Sequence, residues 1–379
     1  MPPVNLVEVT TLEQRRVFVQ FPTKMYKDVP QYIPNTYDDD LHDWDPKSNP
    51  AFEYCEARCW LAYREGETQP VGRIGAILSH RANEKWGTHR MRFSQVDFVD
   101  DPEVSAALFA AVETWAKEKG CDEVQGPLGF SDLDREGMLV EGFDRRSCFF
   151  TYYNYPYYPE HLERLGYVKD ADWIENLIDV PTDDASVAKW DRLSGYVKSH
   201  YPVHEHTATN RLSYIPLLPA FFRLVNLCYS PLYGTVELSD KQISKYATKF
   251  APLINPKLTA FVMDDSGEMI AMGVGAPSIA EALKKHDGRL LPFGWVDLLR
   301  AFRKNDTIDL LLVAIHPDWQ KKGVGAILID KLLHGCLDIG ITKAETGPTL
   351  ETNEAILSLW KRFTAVQHKR RRCFVKKLG

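Results

Sequence analysis

Cysteine is scarce and scattered in this sequence. The 379 residues include seven cysteines, an odd number without the regular spacing of a disulfide framework, so we expect reduced thiols. Cys55 and Cys59 are four apart, but no second pair of ligands follows them, and this arrangement favours packing over a zinc site. The sequence therefore predicts a protein without a bound metal.

A secretory leader, a long apolar run and an excess of one charge are also missing. The first residues lack a basic start followed by an apolar core, and we expect no apolar run long enough to cross a bilayer. The net charge is -6 with both signs interspersed, which argues against nucleic acid as a partner. These features predict a cytoplasmic protein, and the length predicts two domains.

An apolar run, a glycine loop and a helical pattern follow one another between Asp309 and Leu337. The run from Leu310 to Ile315 is short and is followed by a proline, as expected for a buried strand. After Gly325 the apolar residues fall at helical spacing, and Gly340 stands where a helix C-terminal cap belongs. The pattern predicts strand, loop and helix.

The loop between this strand and helix is typical of an anion site. Gly323 and Gly325 allow successive backbone N–H groups to turn toward one point, and the helix N-terminus adds its partial positive charge there. Gln320, Lys321 and Lys322 place polar and cationic groups beside it. Several parallel donors suit a pyrophosphate better than a carboxylate.

Three kinds of phosphate loop compete for this interpretation. A P-loop is excluded because Gly325 is followed by Ala326 and not by Lys-Ser/Thr. A dinucleotide loop would use Gly323, Gly325 and Glu345, but its third glycine is missing and the stretch from Pro317 is too long for that tight turn. The remaining pattern, Gln-x-x-Gly-x-Gly after a strand, resembles the acyl-CoA loop of the GNAT superfamily of N-acyltransferases.

The resemblance continues along the last third of the chain. A strand from Thr342 to Thr346 is followed by a helix opened by Asn353, and residues 366–378 form the closing strand, in the order typical of that family. The resemblance implies an α/β (α+β mixed sheet) GNAT fold. The first half repeats this order in outline, so we predict two tandem GNAT-like lobes, residues 1–183 and 184–379.

The two predicted lobes differ at the phosphate loop. The first has only Asp100 to Glu103 between its strand and helix, where Asp101 should cap the helix and repel phosphate and Pro102 should be its first residue. The first lobe should therefore not bind CoA. The resemblance implies that acetyl-CoA or another acyl-CoA binds the second lobe through residues on the strand, the loop and the following helix: Val313, Ala314, Ile315, Gln320, Lys321, Lys322, Gly323, Val324, Gly325, Ala326 and Asn353.

The resemblance also implies a mechanism in which an amine attacks the thioester directly. Asp309, at the start of the strand, is our candidate general base, although it could equally cap the strand; Glu345 on the next strand is the second candidate. In many relatives a tyrosine protonates the departing thiolate, and here that position is Trp360. The sequence therefore predicts an N-acyltransferase, with a non-catalytic acyl-CoA-binding protein as the alternative.

Clues to the acceptor lie outside the loop. The apolar, aromatic segment from Leu212 to Tyr233 is interpreted as core, as a channel for a long acyl chain, or as a peripheral membrane contact. The chain also resembles bacterial two-lobe GNAT proteins and, more distantly, bacterial enzymes that N-acylate sphingoid bases, which implies a small-molecule or lipid amine acceptor. In the first lobe, Glu136 and the tyrosines of Tyr152–Tyr158 form either an acceptor pocket or a packing layer. The basic run His368–Arg372 is interpreted as a solvated edge strand.

Overall fold

The chain forms two compact units, each assembled from separate stretches of sequence. The computed structural model describes residues 2–206, 210–251 and 254–379. The first unit contains Met1–Ile174, Ala280–Leu298 and His368–Gly379, and the second contains Glu175–Ile279 and Leu299–Gln367. The predicted lobe boundary after residue 183 refers to an internal repeat, and it remains a prediction.

Strands and helices are interspersed along the described chain. The strands are β1 (Val4–Glu8), β2 (Cys55–Arg64), β3 (Pro70–Ser79), β4 (Arg90–Phe98), β5 (Glu123–Gly126), β6 (Met138–Glu141), β7 (Val168–Asp179), β8 (Val203–Glu205), β9 (Thr259–Asp264), β10 (Met269–Pro277), β11 (Thr307–Ile315), β12 (Lys343–Thr346), β13 (Thr349–Leu350) and β14 (Ala365–Lys377). The helices are α1 (Leu12–Met25), α2 (Tyr37–Asp43), α3 (His80–Trp86), α4 (Pro102–Glu118), α5 (Tyr157–Arg164), α6 (Asp184–His200), α7 (Leu218–Tyr229), α8 (Asp240–Phe250), α9 (Ala280–Lys285), α10 (Gly294–Arg303), α11 (Gly325–Ile339) and α12 (Glu354–Trp360).

Each unit contains a mixed sheet. In the first unit the order is β1, β2, β3, β4, β5 and β14, and only β4 and β5 run parallel among the described pairings. In the second unit the order is β7, β12, β11, β10, β9 and β8, with β11 and β12 parallel. One parallel pair within an antiparallel sheet occurs in both units, and the predicted α+β mixed sheet is confirmed.

The helices of the first unit begin where local chemistry favours them. The Thr11 side chain accepts a hydrogen bond from the Gln14 backbone N–H, and the Gln14 side chain accepts one from the Thr11 backbone N–H. The two bonds form a capping box for α1. Asp101 caps α4 by accepting from Glu103 N at 2.9 Å, and Pro102 follows as the first helical residue, as predicted. The apolar face of α4 packs on the sheet through Val104, Leu108 and Val112.

The position of the basic run His368–Arg372 differs from the expected solvated edge strand. It lies in β14 beside β5 and β6 instead of forming a solvated edge, and the side chains of Lys369 and Arg371 are fully buried. Lys369 donates to the Arg146 carbonyl at 3.0 Å, and Arg371 donates to the Tyr152 carbonyl. Arg370 and Arg372 point the other way to Asp172, at 3.0 and 2.8 Å. Sequence alone could not find these partners because all of them are distant along the chain.

In the second unit, α11 is the central helix. Ile327 and Leu328 pack with Val262 and Ile270 of the sheet, which is the apolar stripe that the helical spacing predicts. The helix ends at Gly340, whose φ of +78° gives the left-handed C-cap expected from the sequence. This packing fixes the helix that follows the glycine loop.

Gly335 of α11 approaches another backbone so closely that a side chain cannot fit. A Cβ built there would lie 1.8 Å from the carbonyl oxygen of Lys257. We expect Gly335→Ala to lower the free energy of unfolding by about 1–3 kcal/mol, because the strain exceeds the gain in helix propensity. Urea unfolding followed by circular dichroism measures this change.

Gly195 of α6 provides the matched control for Gly335. It is also helical, it is exposed, and a Cβ there would meet nothing within 4 Å. Gly195→Ala should therefore raise the free energy of unfolding by about 0.5–1 kcal/mol. Equal effects of the two substitutions would contradict the packing described for Gly335.

The apolar segment Leu212–Tyr229 is the one described helical stretch that is long and apolar enough to cross a membrane by length and composition alone. This finding corrects the expectation that no apolar run would reach that length. In the structure the segment is divided into a 3-10 helix, Arg211–Leu217, and α7, with 28% of it buried. Length and hydropathy are weak evidence by themselves, because a core helix of a soluble protein satisfies them too.

Candidate functional site

The second unit contains a strand whose edge opens partway along its length. β11 pairs in parallel with β12 only from Thr307 to Leu310, and the pairing ends where Gly347 N donates to Leu310 O at 3.1 Å. Within the described chain, the remaining residues of β11 continue without β12 beside them. On the outer edge of this part of β11, the backbone N–H groups are therefore available to an extended ligand, whereas the carbonyls of Val313 and Ile315 accept side-chain hydrogen bonds.

A bulge in β11 determines which backbone groups face the open edge. Leu312 pairs with Val274 and Leu310 with Gly275, so Leu311 is an extra residue opposite β10. Beyond the bulge, the backbone N–H of His316 donates to the backbone carbonyl of Ile270, on β10, at 2.8 Å. Because backbone direction alternates along a strand, the Ala314 backbone faces β10, whereas the N–H groups of Val313 and Ile315 face the open edge.

Two side chains of α7 lie on that edge, and sequence reasoning did not identify either. The Tyr229 hydroxyl donates to Val313 O at 3.1 Å, and the Cys228 thiol lies 3.4 Å from Ile315 O. Burial raises the pKa of the Cys228 thiol to about 11, so the thiol stays protonated near neutral pH and acts as a donor. The only signal for Tyr229 in the sequence was its place in an apolar, aromatic segment.

The glycine loop leads from the open edge to the N-terminus of α11. Lys321 and Gly323 have φ values of +67° and +81°, and α11 begins at Gly325 without a side-chain cap in the described structure. Among the described residues, none accepts a hydrogen bond from the main-chain N–H of Gly323, Val324 or Gly325. These donors and the helix dipole converge as the sequence pattern predicts for an anion site, and the binding of an anion there stays a prediction.

The polar side chains of the loop have different surroundings. Gln320 donates to Ile315 O at 3.2 Å, so its amide holds the end of β11. The Lys322 ammonium lies 4.4 Å from the centre of the Trp319 ring, and both Lys321 and Lys322 are exposed. Ala326 donates to the Gly323 carbonyl at 2.8 Å and completes the turn into the helix.

The two predicted acid–base residues lie side by side. Asp309 on β11 is directly paired with Glu345 on β12, in the short parallel stretch that precedes the opening. Asp309 is 0% exposed and Glu345 is 7% exposed. Paired positions in a sheet are about 5 Å apart. The two carboxyl groups are therefore close enough to act together on one proton.

Asn353 and Trp360, at the two ends of α12, both have structural roles. The Asn353 side chain accepts from Ile356 N at 3.4 Å and caps the helix. Trp360 is buried in an apolar cluster with Ile308 and Ala344, so its indole is part of the core.

The first unit has a different arrangement at the corresponding helix start. Arg64 forms ion pairs with Asp101 and, at 2.7 Å, with Glu103. Burial would raise the pKa of Asp101, but the hydrogen bonds from Arg64 and from the Glu103 backbone N–H hold it below the usual range. An ionised carboxylate thus accepts the hydrogen bonds at the start of α4, and the prediction that this unit does not bind CoA stays a prediction.

The tyrosine-rich segment of the first unit fills a crevice there. Asp97 accepts from the Tyr26 hydroxyl at 2.9 Å and from Arg73 at 2.7 Å, and Tyr158 donates to or accepts from Tyr26 at 2.8 Å. Burial raises the pKa of Asp97, although Arg73 opposes this effect. The crevice between Asp97 and Tyr152 has room for about one water molecule. In this structure these tyrosines form a packing layer.

Asn154 precedes α5 in the first half, as Asn353 precedes α12 in the second, but it does not cap the helix. Its side chain binds the backbone N–H and carbonyl of Leu139 at 2.7 and 3.0 Å, and the N-cap of α5 is Pro156. Asn154 therefore fixes a loop to β6 instead of opening a helix. The repeat between the two halves holds for the order of elements but not for this side chain.

Comparison of sequences finds similarity to a known family in part of this chain. The Acetyltransferase (GNAT) family pattern matches residues 218–364. Protein YghO of Escherichia coli is 27% identical over 373 residues, covering 96% of this chain and 93% of the relative. The Bacterial ceramide synthase of Caulobacter vibrioides is 24% identical over 382 residues, covering 99% and 98%.

Comparison of structures gives the same fold. A tandem GNAT protein from the clavulanic acid biosynthesis pathway has a TM-score of 0.56 at 12% identity, covering 99% of both chains. A GCN5-related N-acetyltransferase from Sphaerobacter thermophilus has a TM-score of 0.54 at 11% identity, covering 100% of this chain and 97% of the other. The predicted fold of two tandem GNAT-like lobes is thereby confirmed.

Proposed function

Because residues 218–364 belong to the acetyltransferase (GNAT) family and the chain has the tandem GNAT fold, we propose that this protein is an acyl-CoA-dependent N-acyltransferase. The observation that supports this best is the open edge of β11 leading directly into the glycine loop at the start of α11. An extended ligand with a pyrophosphate at one end matches this arrangement, in which the backbone donors of the strand edge lead to those of the glycine loop. The second unit is the proposed acyl-CoA site.

The proposed binding mode uses backbone donors for the charged part of CoA. The N–H groups of Gly323, Val324 and Gly325 face the pyrophosphate, and the dipole of α11 adds to their attraction. Lys321 and Lys322 remain in solvent next to them, where they reduce the local negative charge. The pantetheine arm would then follow the open edge, with Val313 and Ile315 supplying its backbone partners.

The proposed reaction transfers the acyl group in one displacement. The amine nitrogen of the acceptor attacks the thioester carbonyl, the new C–N bond forms, and the C–S bond breaks. The N–H groups of Val313 or Ile315 stabilise the charge that develops on the carbonyl oxygen. The Asp309–Glu345 pair takes the proton of the amine, through water where direct contact is blocked, because Asp309 is fully buried.

Tyr229 is the proposed donor for the CoA thiolate, since Trp360 is buried in the core. We expect Tyr229→Phe to lower kcat about 10–100-fold while leaving the affinity for CoA nearly unchanged. Steady-state kinetics together with calorimetric binding separates the two effects. Tyr196→Phe, at an exposed position of α6, is the matched control and should leave both constants unchanged. Wild-type kcat in Tyr229→Phe would show that solvent protonates the thiolate.

We further propose that the acceptor is an amine with a long apolar chain. One full-length relative is a ceramide synthase, and the segment near the open edge leaves Leu212, Ile215 and Leu227 exposed. The test offers acetyl-CoA or palmitoyl-CoA with either sphinganine or a short soluble amine, and it measures thiol release and the mass of the amide. Faster turnover with the short amine would reject the lipid acceptor but not acyl transfer.

The alternative is a protein that binds acyl-CoA without turnover. The burial of Asp309 and the core position of Trp360 favour it, because neither group reaches solvent readily. The same assay separates the two functions. Tight acyl-CoA binding without thiol release from any donor and acceptor pair would establish the binding protein and reject the enzyme.

A further inference from the structure

The chain between β10 and β11 presents large apolar side chains to solvent. Leu291 is 76% exposed, Phe293 69%, Trp295 48% and Leu299 49%. Surface apolar residues are usually scattered singly, whereas these four fall within nine consecutive residues. Such a dense group indicates contact with something apolar.

The helix α10 organises part of this group into a stripe. Trp295, Leu299 and Phe302 are separated by four and three residues, so they lie on one face of the helix. Leu291 and Phe293 precede the helix on its N-terminal side. Aromatic and leucine side chains in this arrangement are typical of a helix that lies in a membrane interface.

The same segment is cationic in an otherwise acidic chain. Arg289, Arg300, Arg303 and Lys304 are exposed. Residues 289–304 contain one acidic residue, Asp297. Its carboxylate is paired with Lys285 and with His286, each at 2.7 Å. The segment thus has four cationic residues and one acidic residue, whereas the whole chain has a net charge of -6.

We propose that residues 289–304 form a membrane-contacting segment that docks on the surface of an anionic bilayer. The apolar stripe would enter the boundary between headgroups and acyl chains, and the arginines beside it would meet the anionic headgroups. Charge complementarity selects this partner, because a bilayer offers an apolar layer and a negative layer next to each other. The readout needs neither CoA nor an acceptor, so it is independent of the proposed acyl transfer.

The test is flotation of the full-length protein with vesicles of phosphatidylcholine containing about a third phosphatidylglycerol. We expect the wild type to float with these vesicles and to remain unbound with phosphatidylcholine alone. The Phe293→Ser, Trp295→Ser double variant should bind at least about tenfold more weakly. A charge variant, Arg300→Glu with Arg303→Glu, should bind at least about 30-fold more weakly, because each of the two lost cations contributes about 1 kcal/mol near such a surface.

The matched control is Val168→Ser with Val366→Ser, which removes two exposed apolar side chains that lie on β7 and β14, outside both apolar segments. It should bind vesicles like the wild type, and melting curves confirm that all variants fold. The proposal would be overturned if the apolar variant and the charge variant of residues 289–304 both floated as well as the wild type. It would also be overturned if the wild type did not bind anionic vesicles. Light scattering that finds a wild-type dimer and a monomeric Phe293→Ser, Trp295→Ser variant would also overturn it, in favour of self-association.

Discussion

Replacing Gly323 and Gly325 with glutamate should weaken CoA binding at least about 100-fold. Each glutamate adds a negative charge at a cluster of N–H donors that has the helix dipole behind it, so it competes with the pyrophosphate and repels it. Gly323 also has a φ of +81°, and a Cβ there would lie 3.0 Å from the Val197 side chain. Isothermal titration of CoA, acetyl-CoA and palmitoyl-CoA measures the loss.

A second left-handed glycine separates backbone strain from charge. Gly267 in the turn between β9 and β10 has a φ of +82° and open space around it, so Gly267→Glu creates a similar strain away from the loop. This variant should bind CoA like the wild type. Undiminished CoA binding by the Gly323→Glu, Gly325→Glu variant would show that the loop is not part of the CoA site. A preference among the three ligands would distinguish short-chain from long-chain transfer.

Asp309→Asn should reduce turnover by about 100-fold or more with little change in CoA affinity. Asparagine keeps the shape of the side chain but cannot accept the proton of the attacking amine, and general-base catalysis contributes about 10²–10⁴-fold. The paired position of Glu345 predicts a similar loss for Glu345→Gln. Single-turnover measurement of amide formation reports the chemical step directly.

Non-additivity of the two substitutions distinguishes a shared role from separate ones. If Asp309 and Glu345 act as one proton-holding pair, the double variant should be little slower than either single variant. Full activity in Asp309→Asn together with a loss in Glu345→Gln would move the base to Glu345 alone. Full activity in both would reject the pair and leave water as the base.

The sequence predicted the parts of the site that depend on neighbouring residues. The change from a strand pattern to helical spacing, the glycines between them and the cap at Gly340 are local features, because backbone conformation and helix ends are determined within a few residues. Asp101 was predicted as a helix cap for the same reason. These signals were sufficient for the fold of the second unit around the loop.

Features that depend on distant residues were not predicted. Tyr229 reaches Val313 across 84 positions of sequence, and Lys369 reaches Arg146 across 223, so no local pattern indicates either contact. The basic run in β14 looked solvated because lysine and arginine are rarely buried without partners. The α10 stripe was missed because its apolar residues match the spacing of an ordinary core helix.

The interleaved composition of the first unit has a consequence for synthesis on the ribosome. Its sheet includes residues 368–377 of β14, which pair with β5 and β6. After Ile174 has been synthesised, the edge of β5 therefore waits for a strand that is translated much later. During this interval an unpaired strand edge is open to association with other chains. Elongation speed and chaperone protection should thus influence the yield of folded protein.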